Sequence, residues 1–119
     1  MKVAVIGAGS WGTALANVLA TAGHDAVLWA RKEEVCAGIN DDHRNPRYLT
    51  DAVLDDRVSA TSSHERALAG AQAVVIVTPS SILRQAARDV AAFIGPEMPI
   101  AICSKGVEAD TGLLPVEIF

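Results

Sequence analysis

The sequence predicts an α/β chain built on a doubly wound parallel sheet of five strands. Three observations predict it. Short apolar runs and amphipathic stretches alternate along the chain, and such alternation implies parallel strands joined by right-handed crossovers. Three of the runs, at residues 2–6, 73–77 and 99–103, are apolar throughout rather than alternating, as in strands buried on both faces. A glycine-rich turn, Gly7-Ala8-Gly9-Ser10-Trp11-Gly12, separates the first run from the first amphipathic stretch.

The elements follow in order. Lys2-Val3-Ala4-Val5-Ile6 is a β-branched run that Gly7 ends. Trp11, Ala14, Leu15, Val18, Leu19 and Ala22 then recur at three- and four-residue spacing, a helical stripe expected to face the sheet. The turn Ala22-Gly23-His24-Asp25 leads into a second strand, Ala26-Val27-Leu28-Trp29, with Trp29 expected in the core. Residues 32–39 predict a short helix. Residues 40–56 are polar, carry Asn45-Pro46 and interrupt the second crossover; loops that long in a compact domain are usually functional or mobile. Residues 57–61 are a shorter third strand, and residues 63–68 a helix with Ser62 or Ser63 as its cap. The fourth strand is stopped by Thr78-Pro79-Ser80. Ser80 is the expected N-cap of a helix with the stripe Leu83, Ala86, Ala87, Val90 and Phe93, ended by Gly95-Pro96. The fifth strand precedes Ser104-Lys105-Gly106.

Composition narrows the function. The chain has 119 residues, 50% of them hydrophobic, which suits one compact domain. The net charge is -4 and the charges are scattered, with no basic stripe of the kind that marks a nucleic-acid partner. An anionic ligand would need a local positive site against a mildly repulsive global field. Cys36 and Cys103 have neither CxxC nor Cys/His spacing, so neither a disulfide framework nor a zinc site is expected, and reduced thiols point to the cytoplasm. Cys103 is expected to be buried. His24, His43 and His64 fall in a turn and in polar stretches without metal-ligand spacing, and are read as solvated. No stretch has the length of a signal peptide or a membrane span.

The three glycines carry the chemistry. Gly7 stands where the chain must turn sharply off the first strand. Gly9 stands where a phosphate backbone can approach with no Cβ in the way, and Gly12 where a helix must pack closely on a strand. The helix N-terminus then offers N–H groups and partial positive charge to a pyrophosphate. Between a strand and an amphipathic helix, this GxGxxG reads as a dinucleotide site. The end of the second strand selects the cofactor. A carboxylate there would hold the ribose hydroxyls and repel a 2′-phosphate, but the sequence has Trp29-Ala30-Arg31-Lys32. Arginine can pair a phosphate through two N–H groups, so NADP is favoured or tolerated beside NAD. Thr78-Pro79-Ser80 and Ser104-Lys105-Gly106 end the fourth and fifth strands, so both are expected to open onto the same crevice.

Taken in order, GAGSWGTALA (7–16), LWAR (28–31), NPRYL (45–49), VTPS (77–80) and CSKGVE (103–108) resemble the N-terminal half of bacterial NAD(P)-dependent glycerol-3-phosphate dehydrogenases. The resemblance covers essentially the whole chain. It implies a Rossmann-type fold, with residues 1–119 as an incomplete N-terminal NAD(P)-binding domain and a helical substrate domain absent from the chain. The implied reaction reduces dihydroxyacetone phosphate to sn-glycerol 3-phosphate for phospholipid synthesis. By the same resemblance, Gly7, Gly9, Ser10, Trp11 and Gly12 form the cofactor loop, Arg31 and Lys32 take the adenosine side, and Tyr48 contacts the cofactor. Lys105 reaches both cofactor and substrate, and the lysine that carries the proton lies beyond Phe119. Thr50 stands where the family often has proline. Two other functions compete: a non-catalytic dinucleotide-sensing module, which has no use for Lys105, and a related two-domain dehydrogenase with another substrate, against which SWGTALA and SKGVE argue. A homodimer is compatible with the sequence, which does not fix the oligomeric state.

Overall fold

The computed structural model describes residues 1–103. Five parallel strands form one sheet in the order β3-β2-β1-β4-β5: β1 (Lys2–Ile6), β2 (Asp25–Trp29), β3 (Val58–Thr61), β4 (Ala73–Ile76) and β5 (Ile100–Ile102). Four helices connect them: α1 (Ser10–Thr21), α2 (Glu33–Asp42), α3 (His64–Leu68) and α4 (Leu83–Ala91). The chain starts at the sheet centre, runs outward through β2 and β3, then crosses back to β4 beside β1. That reversal leaves a crevice at the carboxyl ends of β1 and β4.

Successive residues of a strand point to opposite faces, and β1 and β4 therefore feed two cores. On one face, Val5 joins Ala16 and Ala20 of α1, Ala26 and Leu28 of β2, and Val35, Cys36 and Ile39 of α2. On the other, Ala4, Ile6, Val74 and Ile76 meet Leu68 of α3 and Leu83 and Val90 of α4. Leu28 and Ile76 are fully buried; truncating either to alanine is worth about 2–5 kcal/mol.

The stripe expected on α1 is corrected. Trp11 and Val18 are 58% and 64% exposed, and the buried residues are Gly12, Thr13, Ala16 and Ala20. Close approach to the sheet selects small side chains over apolar ones. Two strands are also less covered than expected: β5 exposes Ile100 and Ala101, and Val75 of β4 is half-buried, at the margin of the core that α1 shares with β1 and β2. Cys103 is half-buried rather than buried. Ser80 opens a 3-10 turn (Ser80–Ile82), so Ile82 rather than Ser80 is the N-cap of α4. The helix ends at Ala91, short of Gly95-Pro96, and Phe93 is exposed while Ile94 packs against the core instead. Ser63 does cap α3, its Oγ accepting from Arg66 N at 3.2 Å.

The long polar segment is an ordered strap. Gly38 on α2 admits it: a Cβ there would lie 2.7 Å from Pro46 Cδ and 2.8 Å from the Arg44 carbonyl oxygen. Further along, Asn17 Oδ1 accepts from Asp55 N at 2.8 Å. Asn40, near the end of α2, bonds both backbone groups of Ala60 on β3, donating to its carbonyl and accepting from its N–H, each at 2.8 Å.

Candidate functional site

A cleft of about 380 Å³ opens at the carboxyl ends of β1, β2 and β4. Its floor is the glycine loop. Gly7 has φ +122, a conformation that disfavours side chains, and a Cβ on it would sit 2.9 Å from the Val77 carbonyl oxygen. A Cβ on Gly12 would lie 1.9 Å from the Gly7 carbonyl oxygen. Gly12 is thus the residue that lets α1 rest against the end of β1. Gly9 differs: nothing lies within 4 Å of a Cβ placed there. Its missing side chain leaves open space in the cleft rather than relieving a protein contact.

The start of α1 faces that space. Its N-cap is Gly9, no side chain caps it and its first turn holds no acidic residue. Its first-turn N–H groups and the positive end of its dipole are therefore left to an anion. Ser10 and Trp11 lie here on the cleft wall, both exposed.

The opposite end is made of side chains. Arg31 and Lys32 follow β2 and line the cleft as exposed cations. Trp29 also lines it, which the expectation of a plain core residue missed. Its indole stacks on His64 (centroids 4.2 Å apart) and donates from Nε1 to the Ser62 carbonyl at 2.9 Å. His64 is accordingly not merely solvated: burial pushes its pKa below the ordinary 6.5, partly opposed by Asp89. Val77, Thr78 and Pro79 complete the wall at the end of β4.

Tyr48 reaches the cleft as expected, and Arg47 beside it was missed. What holds both in place is Asn45, also missed, which is fully buried. Its Nδ2 donates to the Ala8 carbonyl at 3.0 Å and to Thr13 Oγ1 at 2.9 Å. Its Oδ1 accepts from the N–H groups of Arg47 at 3.0 Å and Tyr48 at 3.1 Å. One amide uses its whole hydrogen-bonding capacity to tie the strap to the glycine loop. The only hint in the sequence is Asn-Pro, which reads as a turn. Leu49, just after Tyr48, has φ +55 and turns the strap away ahead of Thr50. Lys105 lies outside the described residues. Among the described residues, no three His, Cys, Asp or Glu side chains gather as a metal site, and no helix is long and apolar enough to cross a membrane.

This arrangement can hold an elongated ligand with an anionic middle and a second anionic group near Arg31 and Lys32. Comparison with known proteins agrees. The family model of the NAD-dependent glycerol-3-phosphate dehydrogenase N-terminus matches residues 2–119. A glycerol-3-phosphate dehydrogenase [NAD(P)+] of Brucella canis is 42% identical over 117 residues, covering 98% of this chain and 36% of the relative. That of Limosilactobacillus reuteri is 42% identical over 121 residues, with 99% and 36% covered. The crystal structure of glycerol-3-phosphate dehydrogenase from Coxiella burnetii superposes with a TM-score of 0.90 at 30% identity, covering 98% of this chain and 36% of that one. The chain therefore spans about a third of the length of the curated relatives it matches.

Proposed function

The chain belongs to the family of the NAD-dependent glycerol-3-phosphate dehydrogenase N-terminus, and from that premise we propose that it is the cofactor-holding part of an oxidoreductase. The proposed reaction reduces dihydroxyacetone phosphate to sn-glycerol 3-phosphate with NADPH or NADH, a step that feeds phospholipid synthesis. The observation that carries the proposal is the open ground at Gly9 beside the uncapped start of α1. Phosphate fits where a backbone approaches without a Cβ and N–H groups converge.

In this reading Gly7 and Gly12 shape the loop, and the first-turn N–H groups beside Ser10 and Trp11 neutralise the pyrophosphate. Arg31 and Lys32 take the adenosine side with its 2′-phosphate, and Tyr48 closes that end with its ring. When bound, the nicotinamide supplies the hydride, and the protein contributes grip, orientation and field. Lys105 is assigned to an oxygen of the substrate. Water exclusion and the proton carrier are assigned to polypeptide that the relatives have in addition to this stretch, in a separate substrate domain. Each contribution is worth orders of magnitude in rate. The two cysteines, free among the described residues, support a cytoplasmic location, and sedimentation tests for a homodimer.

Gly9→Val places a branched side chain in the pyrophosphate's position. Calorimetric titration with NADPH is expected to show an affinity loss of at least about tenfold, roughly 1.4 kcal/mol. The melting temperature should hold, because the new Cβ meets no protein atom. Unchanged affinity would reject the glycine-loop assignment.

A further inference from the structure

We infer that Arg47 is a third cation of the 2′-phosphate subsite, oriented by Glu34, and that it biases the cleft toward the 2′-phosphorylated dinucleotide. The inference rests on the nucleotide reading above and deepens it. Arg47 comes from the strap, not from the β2–α2 junction, yet it lines the same cleft as Arg31 and Lys32. Glu34 stands in the first turn of α2, two residues after Lys32. Its Oε1 accepts from Arg47 Nε at 2.5 Å.

The atom used matters. A guanidinium presents five N–H donors in a planar fork, and Glu34 engages it at Nε. Among the described residues no bond is made by its two terminal Nη groups, so they remain to donate. A fork fixed at Nε by a carboxylate has lost much of its rotational freedom before a phosphate arrives, and paired N–H donation to phosphate is what its plane suits. The backbone is fixed as well, since Arg47 N donates to the buried Asn45. The side chains of Arg47 and Glu34 are 45% and 55% exposed. Such a pair contributes little to stability, so variants at either position should fold.

The test measures dissociation constants for NADPH and NADH, and for the fragments 2′,5′-ADP and 5′-AMP, with the unaltered protein and with Arg47→Gln. NADPH and 2′,5′-ADP are expected to weaken about tenfold while NADH and 5′-AMP change less than about twofold, because only the phosphorylated pair loses a bidentate contact. Arg47→Lys keeps the charge without the fork and should recover part of the preference. Glu34→Gln keeps an acceptor for Nε and should retain it. Equal weakening of phosphorylated and unphosphorylated ligands by Arg47→Gln would overturn the inference, showing that Arg47 shapes the strap rather than meets the phosphate. An unmoved ratio with unmoved affinities would overturn it too. Failure of the unaltered protein to bind either cofactor would instead overturn the nucleotide reading and this inference with it.

Discussion

The two ends of the cleft are made of different material. The glycine-loop end is backbone: a left-handed Gly7, a Gly12 with no room for a methyl group, and a helix terminus without a side-chain cap. The far end is side chain: Arg31, Lys32, Arg47 and Tyr48, the last two braced by Asn45. A backbone site recognises what all its ligands share, and at Gly7 and Gly12 the fold itself tolerates no added bulk. A side-chain site can be retuned one residue at a time without touching the fold. On the proposed reading, cofactor binding as such belongs to the first end, and discrimination between cofactors to the second.

That contrast can be broken most severely at Gly12. Gly12→Ala forces a Cβ to within 1.9 Å of a carbonyl oxygen, so α1 must lift from β1. The expected loss is about 3 kcal/mol or more, as for other overpacked or strained positions, and thermal denaturation measures it. A wild-type melting temperature would show that α1 is free to slide. Next comes Asn45, the link between the two ends. Asn45→Ala strands two N–H groups, a carbonyl and a hydroxyl; the expected cost is about 2–4 kcal/mol, less than four times the penalty for a fully buried group, because three of the four bonds are only part-buried and water can replace them. Asn45→Asp keeps the acceptor half but sets a carboxylate oxygen against the Ala8 carbonyl, so it should be destabilised as well. Hydrogen exchange at Arg47 and Tyr48 should rise more in the alanine variant than in the aspartate one. If both stay protected, the strap is held by other contacts, Gly38–Pro46 foremost.

The Gly9 and Arg47 substitutions then sharpen the contrast, one lowering every dinucleotide's affinity and the other only the phosphorylated one's. The smallest effect lies under Trp29. His64 has its pKa lowered by burial, so the unfolded chain takes up a proton more readily than the folded one. The associated stability is fully present above pH 6.5 and declines as pH falls through that value toward the depressed folded one. His64→Gln should flatten this slope in denaturant titrations. An unaltered slope would assign it to other groups.

The strands were legible because continuous apolar runs bounded by glycine, proline and polar turns have few other readings. The first helix was legible as a helix but not in orientation. Hydrophobicity pointed inward at Trp11 and Val18, whereas contact distance decided for Gly12, Thr13, Ala16 and Ala20. Size governs the tightest interfaces, and a periodicity of apolar residues does not weigh size. At the site, the glycines, Arg31 and Lys32 were picked out by local patterns and Tyr48 by the family resemblance, and all of them line the cleft. Asn45 was not, because its partners Ala8 and Thr13 are 37 and 32 residues away and a polar residue before proline reads as exposed turn. The Glu34–Arg47 pair was hidden for the same reason, since only the return of the strap over α2 brings the two together.

Asn40 has a consequence for what the sheet can recruit. An outer strand normally displays unpaired N–H and C=O groups, a template on which a foreign strand can add or aggregation can start. On β3 the template is spoiled from within. The Ala60 N–H and C=O are both taken by the Asn40 amide, and the Val58 N–H is taken by the Asp55 carbonyl at 3.0 Å. A single carboxamide thus impersonates a neighbouring strand, where none lies beside β3 among the described residues. An intruding peptide on this margin would have to displace two well-formed hydrogen bonds before making its first, so the β3 side is closed to strand addition by a side chain rather than by charge or proline.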